Sequence, residues 1–266
     1  CGTTRAVSVP CMFSDKPRSH FDVLKDRNRE NLLDIFNRVG FDVLWRENNS
    51  GCKGVCKRVM TQSQPDFAAS PLCSEGDCFD TAMLYKLEEQ LDAMGNNVVL
   101  VLHQLGSHGP AYQKRYPAEF EHFQPVCNKP DINNCSRQEI INGYDNSIRY
   151  TDYFIDQVIN FFAAREQKYL STITYISDHG ESLGEKGIYL HGLPYFLAPK
   201  EQTEVPFTVW LSDNFINRRH VQPECLHNKA DSELSHDNLF HSMLGLASIE
   251  TTSYQAEMDI FSSCRR

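Results

Sequence analysis

No run in this sequence approaches the roughly 20 consecutive apolar residues of a membrane-spanning helix, and no signal peptide is visible at its start. Basic clustering is missing too. Against 35 Asp and Glu there are only 26 Lys and Arg, a net charge of -9, which argues against a nucleic-acid surface. Internal repeats and low-complexity linkers are also absent, so residues 1–266 read as a single domain. Nothing before Cys1 looks like a natural start. The chain is therefore expected to be the soluble part, truncated at its N-terminus, of something longer.

What the sequence does hold is cysteine, ten in all, arranged as neighbours: Cys1 and Cys11, Cys52 and Cys56, Cys73 and Cys78, Cys127 and Cys135, Cys225 and Cys264. Four of the pairs flank short polar or Gly/Pro/Asn-bearing stretches in which a local disulfide can close, a pattern that belongs in an oxidising compartment. The rival reading is a zinc site made of Cys52, Cys56, Cys73 and Cys78, which leaves the other pairs without a role.

Hydrophobic periodicity alternates between helix and strand. Helices are expected over Asn28–Val39, Asp80–Met94, Ser136–Phe162, where Ser136 and Glu139 form a capping box, and Ser235–Leu246. Strands are expected over Phe41–Trp45, Val98–Leu102, Ile173–Ile176 and Phe207–Leu211. This alternation implies an α/β fold with a mostly parallel central sheet covered on both faces.

Chemistry-bearing residues fall where two of these strands end. Asp178 and His179 follow the Ile173 strand, with His191 twelve residues after His179, and His103 and His108 follow the Val98 strand. In a parallel sheet the carboxyl ends share an edge, so groups about seventy residues apart can converge. Carboxylate and imidazole together offer oxygen and nitrogen ligands suited to zinc or manganese. Asn48, Asn49 and Lys53, in the polar loop after the Phe41 strand, add amide donors and a positive charge that suit a phosphate group. The bland reading of Lys53 is a solvated charge between two cysteines. Spacing and chemistry alone reach a metal-dependent phosphoryl or sulfuryl transfer enzyme.

Taken in order, Cys1-Gly-Thr with Val9-Pro10-Cys11-Met12-Phe13-Ser14, Leu44-Trp45 with Asn49 and Lys53, His103 with His108-Gly109-Pro110, Tyr144-Asp145-Asn146, Asp178-His179-Gly180-Glu181 and His191-Gly192 resemble the periplasmic catalytic domain of the lipid A phosphoethanolamine transferases, the colistin-resistance type. The resemblance implies an alkaline-phosphatase-like or sulfatase-like α/β/α sandwich at the periplasmic face of the bacterial inner membrane, tethered by an N-terminal transmembrane domain outside this sequence. It implies zinc as cofactor, phosphatidylethanolamine as donor and lipid A as acceptor, with phosphoethanolamine passing through a phosphorylated threonine.

By position, Asp178 and His179 correspond to first-zinc ligands, His108 and His191 to the second metal or substrate-phosphate site, and Asn49 and Lys53 to the substrate-binding loop. His103 sits in the corresponding strand end, where a buried hydrogen bond is as good a role. Two departures stand out. The family's upstream glutamate ligand lies outside the sequence, which should weaken zinc binding. Arg5 stands where the family has its nucleophilic threonine, and a permanently protonated, donor-only side chain neither attacks phosphorus nor ligates zinc. Thr3 and Thr4 are the nearby hydroxyls, with helix capping as their ordinary role. A non-catalytic module that binds a metal and a lipid headgroup, or another phosphodiesterase, phosphatase or phosphoglycerol transferase of the same fold, remain alternatives.

Overall fold

Helix starts near the N-terminus differ in whether a side chain caps them. The structure, a computed structural model, describes residues 1–265. Helix α1, Arg5–Met12, follows Thr4 in extended backbone. Helix α2, Leu32–Arg38, is opened by a capping box of Asn31 and Asp34. The periodic segment expected from Asn28 therefore starts late, because Asn31 uses its side chain to accept the Leu33 amide instead of continuing a helix.

Strand β1, Asp42–Glu47, comes next and is buried from Val43 onward. It is followed by strand β2, Met60–Gln62, helix α3, Leu87–Asp92, and strand β3, Val98–His103. These strands form a parallel sheet in the order β2-β1-β3, with β1 central. The helix expected over Asp80–Met94 is broken into a 3-10 turn, Asp80–Leu84, and α3. Arg46 explains the break: its guanidinium donates to the carbonyls of Met83 and, at 3.1 Å, of Tyr85. Taking the Met83 carbonyl removes an acceptor that a continuous helix needs, and Lys86 turns the chain with φ 52°.

Helix α4, Arg137–Ala163, opens on the Ser136–Glu139 capping box and leads to strand β4, Thr172–Ile176. The hairpin of β5, Ser182–Glu185, and β6, Ile188–Leu190, follows, then strand β7, Phe207–Leu211, and helix α5, Asp237–Ala247. β4 pairs antiparallel with β7. Among the described residues no ladder joins β3 to β4; a cavity of about 790 Å³ is lined by both strands.

The layers are α/β/α about a largely parallel sheet. One core joins Val9 of α1, Leu33 and Phe36 of α2, and Phe240 and Leu244 of α5 to Val43 and Trp45. A second core sets Phe154 and Val158 of α4 against Phe67 and Met83, with Leu102 and Ile173 packed beside them. Val43 and Trp45 of β1 face the first core, while Arg46, the next residue, reaches Met83 of the second, as the alternation of a strand requires. Five disulfides close, Cys1–Cys11, Cys52–Cys56, Cys73–Cys78, Cys127–Cys135 and Cys225–Cys264, and among the described residues no cysteine is free. The zinc alternative for Cys52, Cys56, Cys73 and Cys78 is thereby set aside.

Candidate active site

Three imidazoles gather, His108 from the loop after β3, His179 from the loop after β4 and His191 directly after β6. The ring centroids of His179 and His191 are 4.3 Å apart, those of His108 and His191 4.9 Å, and those of His108 and His179 6.4 Å. In each ring Nδ1 is committed. His108 and His179 donate from it to the carbonyls of Gly109 (2.6 Å) and Gly180 (3.0 Å), and His191 pairs with Glu181 Oε1 at 2.9 Å. A carbonyl can only accept, so in the neutral form of the first two rings the proton sits on Nδ1 and Nε2 carries the lone pair. That is the tautomer a metal-ligating histidine needs.

The loops that carry these rings are tied down by buried carboxylates. Asp80 accepts from the amides of Leu105 (2.9 Å) and Gly106 (2.8 Å) and from Asn48 Nδ2 (2.7 Å), which orients the segment leading to His108. Glu181 accepts from the Gly109 amide at 3.1 Å and faces the Tyr112 hydroxyl at 3.5 Å, so one carboxylate holds the His108 loop and the His191 ring together. Gly180 comes so close to the Glu201 carbonyl that a Cβ there would collide with backbone, and its amide bonds to Gln202 at 3.1 Å. Ser8 of α1 donates to the Asp178 carbonyl. Electrostatics follow from these contacts: the Glu181 hydrogen bond holds the His191 ring above the usual histidine range, whereas burial pushes His108 below it.

Two donor sets could take a metal ion. His179, Glu181 and His191 offer ligand atoms within 4.8 Å of one another. Both Glu181 oxygens, however, already face donors. Asp178 Oδ2 is buried with no hydrogen-bond partner and lies 3.7 Å from His179 Nε2. Two ligands bound at about 2.0–2.2 Å to one ion sit at about that separation. A buried, unpartnered carboxylate oxygen beside a free imidazole nitrogen fits a divalent cation, so Asp178 and His179 are the stronger pair.

The remaining expected residues divide. Arg5, Asn49, His108, Asp178 and His179 line the cavity between β3 and β4. Arg5 Nη2 donates to the Ser50 hydroxyl, and its charge is felt at His191. Asn49 donates to the Gln104 carbonyl at 2.8 Å, tying its own loop to the His108 loop. Lys53 is exposed and donates to the Ser50 carbonyl at 2.7 Å. Thr4 makes no side-chain capping bond, and its methyl approaches Gly192, beside His191. Thr3 is occupied, donating to the Leu193 carbonyl at 2.6 Å. His103, which also lines the cavity, is taken up by Glu47 (2.9 Å), a carboxylate also held by Trp45 (2.7 Å). Sequence reasoning missed the work of Glu181 and Asp80. Glu181, two residues past His179, carried a faint signal; Asp80 carried none.

The site and fold define a class. A family model described as sulfatase matches residues 1–249, and the chain belongs to that family. Within it the chain is a member of the phosphoethanolamine transferase group. It is 47% identical to phosphoethanolamine transferase EptA of Salmonella typhimurium over 100% of this chain and 49% of that protein. It is 40% identical to phosphatidylethanolamine transferase Mcr-2 of Escherichia coli over 92% of this chain and 45% of that protein. The solved soluble domain of lipooligosaccharide phosphoethanolamine transferase A from Neisseria meningitidis superposes with a TM-score of 0.95 at 44% identity, covering 100% of this chain and 80% of that one. The chain spans about half the length of the curated relatives it matches.

Proposed function

We propose that this chain is the catalytic portion of a zinc-dependent enzyme that moves phosphoethanolamine from phosphatidylethanolamine to a phosphate of lipid A, at the periplasmic face of the bacterial inner membrane. The observation that carries the reading is the convergence of three imidazoles with Nδ1 tied and Nε2 free beside the unpartnered Asp178 Oδ2. Zinc bound by Asp178 and His179 would supply positive charge for the phosphoryl oxygens and lower the pKa of a nearby hydroxyl. His108 and His191 face the phosphate side, oriented by the Gly109 carbonyl and Glu181. Asn49 and Lys53 flank the entry as headgroup contacts. In the transfer, a hydroxyl oxygen bonds to phosphorus as the bond to the diacylglycerol oxygen breaks, and that leaving oxygen takes a proton.

Arg5 provides no hydroxyl. An intermediate of the family's kind would have to form on Thr4, whose side chain lacks a capping bond and lies beside Gly192. A second reading, a metal and headgroup binding module without turnover, is favoured by Arg5 itself, which lines the cavity where a nucleophile is needed. Intact mass spectrometry after incubation with zinc and phosphatidylethanolamine separates the two. A phosphoethanolamine adduct on the Arg5→Thr variant alone supports an assembled transfer site that lacks its nucleophile. An adduct on both proteins points to Thr4, and an adduct on neither overturns the transferase reading in favour of the module.

A further inference from the structure

An arginine grips a two-oxygen anion along one edge, Nε together with Nη2, and this protein uses that edge whole elsewhere. Arg165 donates Nε (3.0 Å) and Nη2 (2.6 Å) to the two oxygens of Glu88, and Arg58 donates the same two nitrogens to Asp34. Arg5 departs from this pattern. Its Nη2 reaches one hydroxyl, that of Ser50, while its Nε is buried and donates to nothing. Neither Asp178 nor Glu181 forms an ion pair with it among the described residues; Asp178 instead sits against His179, and Glu181 against His191. A second cation stands at the same residue, since Lys53 donates to the Ser50 carbonyl at 2.7 Å.

We propose that the Nε and Nη2 edge of Arg5, with Lys53 beside it, is a fork for a phosphoryl oxyanion, and that the Ser50 hydroxyl occupies half of the fork until the ligand displaces it. A tetrahedral phosphoryl group presents two oxygens to the fork and a third to Lys53, which a carboxylate does not have. The buried Nε then gains the acceptor it lacks. This inference rests on the reading that the site handles a phosphoester, and goes beyond it: the fork holds the ligand reversibly, with neither metal nor covalent bond.

The test is calorimetric titration of the full chain, in chelator, with inorganic phosphate, phosphoethanolamine and acetate, followed by vesicles with and without phosphatidylethanolamine. Phosphate and phosphoethanolamine are expected to bind in chelator, at least about tenfold more weakly to Arg5→Gln than to the parent. Arg5→Lys should recover part of the loss, since it restores a point charge without the planar fork. Ser50→Ala, which removes the internal competitor, should tighten binding severalfold. Arg5 is partly exposed, and matched melting curves establish that each variant is folded. Arg5-dependent binding to phosphatidylethanolamine vesicles identifies a lipid headgroup as the source of the phosphoryl group; the same dependence with free phosphate alone identifies a soluble ester, and both support the fork. Equal affinity in Arg5→Gln, acetate binding as tight as phosphate, or binding only after zinc is restored would overturn it. The last result leaves the transferase reading intact. A missing adduct on Arg5→Thr alongside Arg5-dependent phosphate binding sinks that reading alone.

Discussion

The two sides of the candidate site, one of imidazoles and one of cations, are built on different principles. On the imidazole wall the loop backbone is tied down, Asp80 holding the amides of Leu105 and Gly106 and Glu181 holding Gly109 and His191, while Asp178 Oδ2 is left without a partner. On the cationic wall the side chains lean on one small residue, Arg5 on the Ser50 hydroxyl and Lys53 on its carbonyl, with the Arg5 Nε left over. The first wall suits a ligand that demands fixed angles, such as a metal ion. The second suits a ligand that arrives and leaves. Preorganisation is thus concentrated on the side proposed to hold the metal, and exchangeable contacts on the side proposed to take the anion.

The sharpest way to break this contrast is to strip the rigid wall of its ligands. Replacing Asp178 and His179 together by alanine is expected to reduce bound zinc by more than about a hundredfold, measured by elemental analysis after dialysis; unchanged zinc content would remove the metal assignment. Next comes Glu181→Gln, which leaves those ligands in place but loosens the His108 loop and the His191 ring. Metal affinity by competition with a chromogenic chelator should fall roughly 10–100-fold, and no change would mean that the carboxylate is not what orders this wall.

A smaller effect is expected from opening the Cys52–Cys56 disulfide at the base of the cationic loop, whose ends are four residues apart. Replacing both cysteines by serine should cost about 2 kcal/mol of stability on chain-entropy grounds, read from denaturant titration, with zinc binding unaltered. Loss of zinc in that variant would show the two walls to be coupled. The smallest effect concerns Glu47, where β1 runs into this loop. Burial pushes its carboxyl up, but His103, Trp45 and the Gly51 amide together hold it below the ordinary glutamate value. Its stabilising contribution is therefore present above about pH 4.5 and is lost as pH falls through the depressed folded value. Glu47→Gln should flatten the acid limb of a melting-temperature profile, and an unchanged limb would assign acid unfolding to other carboxylates.

Much of the layout was legible in order along the chain. Local patterns are short-range physics: the Ser136–Glu139 box starts α4, and the apolar runs Val98–Leu102 and Ile173–Ile176 form strands, because these depend on neighbours within a few residues. The Asp80–Met94 segment reads as one helix for the same reason, yet Arg46, more than thirty residues earlier, takes the Met83 carbonyl and breaks it. A long-range donor leaves no trace in local periodicity. The candidate site behaves likewise: residue types and strand ends marked out His108, Asp178, His179 and His191, while Lys53 and Asn49 were marked by composition without their partners.

The sequence by itself determined the class of the elements it marked out, the Asp80–Met94 segment excepted, together with the adjacency of the cysteines, the absence of a membrane-spanning run and the residue types able to hold a metal, since each follows from local spacing or side-chain chemistry. Only the tertiary structure decided that Asp80 and Glu181 anchor the loops, that Thr3 is already occupied, that His103 pairs with Glu47, and that one edge of Arg5 is half open. Those outcomes depend on which groups segments distant in sequence place within hydrogen-bonding reach. The pairing of a buried donor with an acceptor brought from elsewhere is settled only when the chain packs.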